Sequence, residues 1–306
     1  MIKPKPLQIG DKVGIIAPAS PIDINLINKC IDSLSSLGLD VKVGESCTSE
    51  YGFLSGTDEI RAKDVNLMFA DKSIKGIFAL RGGYGCARLL NFIDFKLIKK
   101  NPKIFIGYSD ITALHIAINQ KSNLITYHGP MIASELLKGL DDYSNNYYKK
   151  FIFNYYNNEE ILNPEGINLE VINTGITSGK LIGGNLSLIC SSLGTDYEID
   201  TKNKILFIEE IDEPPYKIDR MFTQLKQARK FKDANGIILG SFNNCEAKDN
   251  KKSLSLKGVF NEILLPLNKP IISNLVCGHC MPTVTLPLGA KILLDANNKK
   301  INIIGK

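Results

Sequence analysis

The sequence predicts an α/β protein of two domains: a helix-covered parallel sheet, then a smaller mixed α/β domain. Three observations carry this. Over roughly the first 130 residues, short apolar runs alternate with stretches of helical spacing, the pattern of strand–helix–strand crossovers in a parallel sheet. The turn signal Asn163-Pro164-Glu165-Gly166 then interrupts the chain, which sets the expected domains at 1–160 and 167–306. Beyond it several strand-like runs share the chain with two helical stretches, a mixed rather than an alternating order. At 306 residues, 44% hydrophobic and 23% charged, the chain is long enough to bury a core in each.

Each element has a local reason. Lys12–Ala17 is an apolar run stopped by Pro18, and Ile24–Leu37 has helical spacing up to Gly38, a suitable residue for a helix end. Leu39–Val43 reads as a strand. Thr57–Ala70 reads as a helix with Thr57 as its cap and Glu59 in its first turn. Gly76–Leu80, Lys103–Tyr108 and Leu124–Tyr127 are buried strands. Asp141–Glu160, rich in Asn and Tyr, reads as a covering helix or a subunit contact. In the second half, Leu169–Ile172, Lys204–Ile208, Gly236–Leu239, Pro270–Leu275 and Lys291–Leu294 are strand-like, and Tyr216–Arg229 and Leu256–Leu265 helical. Ligands of parallel sheets bind beyond the carboxyl ends of the strands, where Arg81-Gly82-Gly83 and Ser109 fall.

Bulk properties remove several classes of function. Net charge is +5, with lysines scattered, in short pairs such as Lys99-Lys100 and Lys251-Lys252 and in no long basic block, a solvated surface that can also attract small anions. The chain carries no nucleic-acid module, and no apolar run approaches the roughly 20 residues of a membrane span. The first residues lack the apolar core of a signal peptide, so the cytoplasm is the expected compartment. Seven cysteines without an export signal are expected as reduced thiols. Cys277-Gly-His-Cys280 has the letters of a redox motif, but extended residues follow it where a redox site opens a helix; no metal or redox role is expected.

Three segments carry chemistry. In Ile104-Phe-Ile-Gly-Tyr-Ser-Asp-Ile-Thr-Ala-Leu, Ser109 stands where an apolar strand gives way to a helix. It reads either as a helix cap or as a nucleophile with free N–H groups beside it, although Ile111 replaces the last Gly of a G-x-S-x-G elbow. Arg81-Gly82-Gly83-Tyr84-Gly85 follows a buried strand and reads as a tight turn or as an oxyanion donor, with Arg81 or Arg88 available to a substrate carboxylate. Lys204-Ile-Leu-Phe-Ile runs straight into Glu209, Glu210, Asp212 and Glu213, a solvated acidic loop or the source of a histidine-orienting acid and of carboxylates for a cationic group. A base must come from His115, His128 or His279. His115 lies about 1.7 helical turns beyond Ser109, too far along the helix to meet it. His128 follows a strand, and His279 sits in a loop, which suits a base that reaches across a cleft.

With these segments in place, the chain resembles the LD-carboxypeptidase family, the murein tetrapeptide carboxypeptidases and related microcin C immunity peptidases. The matching pieces are Gly14-Ile-Ile-Ala-Pro-Ala-Ser20, Ala79–Leu90, Gly107-Tyr-Ser-Asp-Ile-Thr-Ala-Leu114, Gly129-Pro-Met131, Gly179-Lys-Leu-Ile-Gly-Gly-Asn-Leu186, Leu206–Glu213, and Gly278-His279 ahead of Thr285-Leu-Pro-Leu-Gly289. The resemblance implies a flavodoxin-like N-terminal domain, a smaller C-terminal α/β domain, an active-site cleft between them and a homodimer. It implies a serine peptidase without metal or cofactor, with Ser109 as nucleophile, His279 as base and Glu209 as orienting acid. Oxyanion donors would be the backbone N–H groups of Asp110 and of Gly82-Gly83. Arg81 is the expected partner of a substrate carboxylate, and Asp212 or Glu213 of an ammonium. Cys277 and Cys280, flanking the base, depart from the family pattern. The implied substrate is a small murein peptide ending in D-Ala. Two alternatives stand beside it: a peptidyl or aminoacyl nucleotide, as in microcin immunity, and a ligand-binding module that has lost catalysis.

Overall fold

The computed structural model describes residues 1–249 and 252–305, so Lys251 of the Lys251-Lys252 pair and the terminal Lys306 lie outside the described residues. The strands are β1 Lys12–Ile16, β2 Asp40–Val43, β3 Ile74–Ala79, β4 Ile104–Gly107, β5 Thr126–His128, β6 Glu159–Ile161, β7 Glu170–Asn173, β8 Ile176–Asn185, β9 Lys204–Ile211, β10 Gly236–Asn243, β11 Ile271–Ser273, β12 Leu286–Leu288, β13 Lys291–Asp295 and β14 Lys300–Ile303. The helices are α1 Ile27–Ser35, α2 Asp58–Ala70, α3 Cys86–Leu89, α4 Phe95–Lys100, α5 Thr112–Ala117, α6 Asp142–Phe153, α7 Leu186–Ser191, α8 Pro215–Gln227, α9 Lys230–Asp233 and α10 Leu256–Leu264.

The chain divides into two compact units, residues 1–155 with 285–289, and residues 156–284 with 290–306. The first unit holds a sheet of order β12-β5-β4-β3-β1-β2. Strands β1 to β5 run parallel and β12 pairs antiparallel with β5, Leu286 opposite His128. This is the doubly wound arrangement that the alternating sequence predicts, with an added antiparallel edge. Its central strands carry Ile77, Phe78, Phe105 and Ile106, all buried, because both faces of a parallel sheet are covered. Helix α2 covers one region with Val65, Met68 and Phe69, and Phe69 stacks on Phe105 at 6.0 Å. Thr57 caps α2 by accepting from the Ile60 N–H at 3.4 Å.

The second unit holds a mixed sheet of order β6-β14-β13-β8-β9-β10-β11-β7. Strands β8, β9, β10 and β11 run parallel, and the flanking strands pair antiparallel. Helices α8 and α10 meet over it through Phe222 and Phe260, stacked at 5.5 Å, while Ile218, Phe222 and Leu225 are buried. Among the described residues, no helix is long and apolar enough to cross a membrane. All seven cysteines are free thiols.

Strand β12 was not expected: Thr285–Gly289 leaves the second half of the chain to complete the first sheet. Pro287 lies in the middle of this strand, which a position at the sheet edge tolerates because one row of ladder bonds is not required there. Leu286 and Leu288 are fully buried. We expect Leu288→Ala to destabilise the protein by about 2–5 kcal/mol in urea unfolding, the usual cost of truncating a core leucine. A loss under about 0.5 kcal/mol would mean that this strand is not part of the core.

Candidate active site

In the first unit, the fully buried strand β4 ends at Gly107 and Tyr108 continues it in extended form, with φ −155°. Ser109 then turns into the left-handed region at φ 63° and opens a short 3-10 turn that leads into α5. A serine in that conformation carries a strain of roughly 1–3 kcal/mol, which surrounding structure must impose. It also projects its hydroxyl from a sharp strand-to-helix turn, as nucleophile elbows do. Ser109 is not the cap of this turn: Tyr108 occupies that position, and no side chain caps it.

The glycine turn after β3 lies against the elbow. A Cβ placed on Gly82 would stand 2.9 Å from Ser109 Cβ and 3.0 Å from its Oγ, so only glycine lets this backbone approach the hydroxyl. Ser20, in the loop after β1, holds the turn: its N–H donates to the Gly82 carbonyl at 3.4 Å and its hydroxyl accepts from the Tyr84 N–H at 3.2 Å. The two arginines of this region differ. Arg88 is paired with Asp58 at 3.0 Å, a carboxylate that also receives the buried Arg61, so its charge is answered within the unit. Arg81 is half-buried and its Nη1 donates to the Pro21 carbonyl at 3.2 Å.

Two histidines of this unit are buried in its core. His115 Nδ1 contacts Thr126 Oγ1 at 2.8 Å and Nε2 contacts the Gly107 carbonyl at 2.8 Å, so it ties α5 to β4 and β5. Burial lowers its pKa from the usual 6.5 to about 4, partly offset by the Gly107 carbonyl, and it is neutral near pH 7. His128 is buried in β5 with its ring 5.7 Å from Tyr108.

In the second unit, the carboxyl ends of β8 and β9 set Asn185 opposite Glu209. Glu209 and Glu210 are consecutive on a strand and point to opposite faces. Glu210 is fully occupied: Oε1 accepts from Asn185 Nδ2 at 2.8 Å and the Ile211 N–H at 2.9 Å, and Oε2 from the Ser187 N–H and hydroxyl at 2.8 and 2.7 Å. It binds the start of α7 to β9; burial raises its pKa and these donors counteract it. Glu209 is completely buried, and its Oε2 meets His279 Nδ1 at 2.7 Å and accepts the His279 backbone N–H at 3.2 Å. This contact fixes the ring through Nδ1. The His279 side chain is 14% exposed.

Gly278 makes this contact possible. Its φ is +111°, and a Cβ there would stand 2.5 Å from Glu209 Oε2 and 2.7 Å from its Cγ. Both flanking cysteines are free thiols. Cys277 is buried, its Sγ donates to the Val284 carbonyl at 3.2 Å, and burial pushes its pKa well up; burial also raises that of Cys280. The acidic residues after β9 have protein partners. Asp212 accepts from Asn244 Nδ2 at 2.6 Å and Glu213 pairs with Lys217 at 2.8 Å.

The sequence reading assigned no role to Ser20, Arg61, Gly278, Asn185 or the Asp110 side chain. The signal for Gly278 was its place beside the histidine; the others show only through their tertiary partners.

A serine on a strand-to-helix elbow and a histidine held by a buried carboxylate are the parts of a serine-type hydrolase. Residues 13–129 match the LD-carboxypeptidase N-terminal domain and residues 178–294 the LD-carboxypeptidase C-terminal domain, so the chain belongs to the LD-carboxypeptidase family. A probable murein peptide carboxypeptidase of Bacillus subtilis (strain 168) is 44% identical over 97% of this chain and 92% of its own length. Among solved structures, MccF in complex with glutamyl sulfamoyl guanosine matches with a TM-score of 0.90 and 28% identity, over 99% of this chain and 98% of that one. Muramoyltetrapeptide carboxypeptidase from Oxalobacter formigenes matches with a TM-score of 0.84 and 28% identity, over 95% and 97%.

Two expectations follow. Gly278→Ala should break the Glu209–His279 hydrogen bond, removing the downfield imidazole N–H resonance in proton NMR and costing about 1–3 kcal/mol for the stranded carboxylate; an unchanged resonance would refute the steric argument. The second concerns pH. His115 binds its proton less readily folded than unfolded, so its contribution is complete above about pH 6.5 and is lost as pH falls towards about 4. The loss is on the order of 3 kcal/mol. His115→Asn should therefore lose less stability than wild type between pH 7 and pH 4.5 in urea unfolding. Equal losses would mean that His115 is not the group responsible.

Proposed function

We propose that this protein is a serine LD-carboxypeptidase that removes the terminal D-Ala from a murein tetrapeptide, cutting the amide between the L-configured centre of a diamino acid and D-Ala. The observation that carries the proposal is the 2.7 Å contact between His279 Nδ1 and the buried Glu209 carboxylate, in a chain whose elbow serine is held at φ 63°. The likeness to the Bacillus subtilis protein named a probable murein peptide carboxypeptidase, at 44% identity, supports the substrate class.

In this reading Ser109 Oγ attacks the scissile carbonyl and His279 takes its proton. Glu209 keeps the imidazole in the right tautomer and stabilises the imidazolium. The Asp110 N–H and the N–H groups of the Gly82-Gly83 turn stabilise the oxyanion, with each donor worth about 10²–10³ in rate. The tetrahedral intermediate expels D-Ala, whose amine receives the proton from His279. Water, deprotonated by His279, then hydrolyses the acyl ester and restores Ser109. No step calls for a metal or an organic cofactor. Arg81 is the proposed partner of the D-Ala carboxylate. Glu213 and Asp212 are proposed for the diamino acid's ammonium, which would compete with Lys217 and Asn244 for them. A homodimer working in peptidoglycan recycling in the cytoplasm completes the reading, on the strength of the family resemblance.

The likeness to MccF bound to glutamyl sulfamoyl guanosine favours one second reading, cleavage of an aminoacyl or peptidyl nucleotide. The chain has no Trp, so a tyrosine would have to supply any aromatic platform for the base.

The deciding experiment measures free D-Ala from a muramyl-free tetrapeptide ending in diamino acid–D-Ala. Wild type should release it, Ser109→Ala should be slower by at least about 10⁴-fold, and Glu209→Gln by about 10⁴-fold. Release by Ser109→Ala at the wild-type rate would overturn the nucleophile assignment. Wild-type cleavage of an aminoacyl sulfamoyl nucleotide with no D-Ala release would move the substrate to the second reading. Arg81→Ala should raise KM about tenfold or more, the cost of a lost charge-assisted hydrogen bond; unchanged kinetics would remove Arg81 from the site.

A further inference from the structure

The two oxyanion donors proposed above come from different segments of the first unit, the turn after β3 and the elbow after β4. A donor pair of this kind works only if its spacing is held to within about 0.5 Å. The bonds from Ser20 to the glycine turn, at 3.2 and 3.4 Å, are long. A shorter connection exists. Asp110 is 2% exposed, and its Oδ2 accepts the Cys86 N–H at 2.8 Å. Cys86 opens α3 directly after Gly82-Gly83-Tyr84-Gly85. The carboxyl is pushed up by its burial, while the N–H groups of Cys86 and Gly85 and the guanidinium of Arg61 favour its charged form. Arg61 is itself completely buried; it donates to the Pro18 carbonyl at 2.6 Å and the Gly56 carbonyl at 3.2 Å, and is paired with Asp58.

We propose that the Asp110 side chain is a positioning residue: its carboxylate clamps the glycine turn to the elbow and so fixes the distance between the two oxyanion donors. One residue then contributes a donor through its backbone and locates the other through its side chain. The proposal rests on the reading of Ser109 as nucleophile. The side chain does not touch substrate; it acts through the turn.

A clamp of this kind affects the transition state more than the bound substrate, because the oxyanion exists only in the former. The experiment compares wild type, Asp110→Ala, Asp110→Asn and Ser109→Ala on the muramyl-free tetrapeptide, together with affinities for a peptide boronate, a tetrahedral mimic, and for the tripeptide product. Asp110→Ala should lower kcat by about 10²-fold, with KM within about threefold. Boronate affinity should fall in parallel while tripeptide affinity holds. Asp110→Asn, whose amide oxygen can accept the same N–H, should recover most of the lost kcat. If the alanine variant does not fold, Asp110→Ser, shorter by one bond, carries the same comparison. Wild-type kcat in Asp110→Ala, a rise in KM alone, or an asparagine variant as slow as the alanine one would each overturn the clamp. An active Ser109→Ala would overturn the reading beneath it, whereas an inactive Ser109→Ala beside a fully active Asp110→Ala would overturn the clamp alone.

Discussion

The constraint that organises the second unit is a carboxylate completely buried at the end of a strand. Glu209 Oε1 has no hydrogen-bond partner among the described residues, and Oε2 has only the two N–H groups of His279. A charge so placed costs several kcal/mol in desolvation unless something answers it. His279 does, and the loop that carries it adopts the one conformation, through Gly278, that brings backbone and ring to the same oxygen. The neighbouring Glu210 shows the contrasting solution, with four donors saturating it and holding α7 in place. Two adjacent glutamates on one strand are thus separated by the faces they point to, one facing the His279 loop and one saturated at the start of α7.

The first unit meets a different requirement. A serine held in the left-handed region needs surroundings that permit no relaxation. Gly82 packs its backbone against the serine hydroxyl, His115 ties α5 to the strand carrying the elbow, and Asp110 ties the elbow to the glycine turn. The restraints come from the glycine turn after β3, from α5 and from the elbow itself, all at the carboxyl edge of the parallel sheet, where the fold gathers its loops. The strain at Ser109 is therefore shared among packed and hydrogen-bonded groups instead of being borne by one.

Much of this architecture was legible locally. The parallel strands of the first unit, the capped α2 and the two long helices of the second unit follow from apolar spacing and punctuation. What was not legible depends on tertiary company. Strand β8 is rich in glycine, with Gly183 and Gly184 at φ 131° and 138°, and so lacks the β-branched run that marks a strand. Strand β12 contains a proline and finds its partner far back in the chain. Arg88 looked as available as Arg81 until Asp58 was seen to claim it. The sequence pattern marked Ser109 at a strand-to-helix junction but left Glu209 among four acidic residues and His279 beside His128 and His115, and only the family resemblance singled them out. It was silent on the Asp110 carboxylate, because the Cys86 N–H that occupies it is 24 positions away.

The crossing of Thr285–Gly289 into the first sheet bears on how such a protein can be inherited. The chain visits the second unit, returns to the first for one short strand, then goes back to finish the second with β13 and β14. Neither unit corresponds to an uninterrupted stretch of gene. A segment ending near residue 155 would leave β5 as a bare edge, open to pairing with other chains. A segment beginning near residue 156 would carry an orphan apolar strand between the histidine loop and its last hairpin. Shuffling the halves independently is therefore disfavoured by the connectivity itself. The serine-bearing and histidine-bearing parts are bound to travel, and to diverge, as one heritable piece.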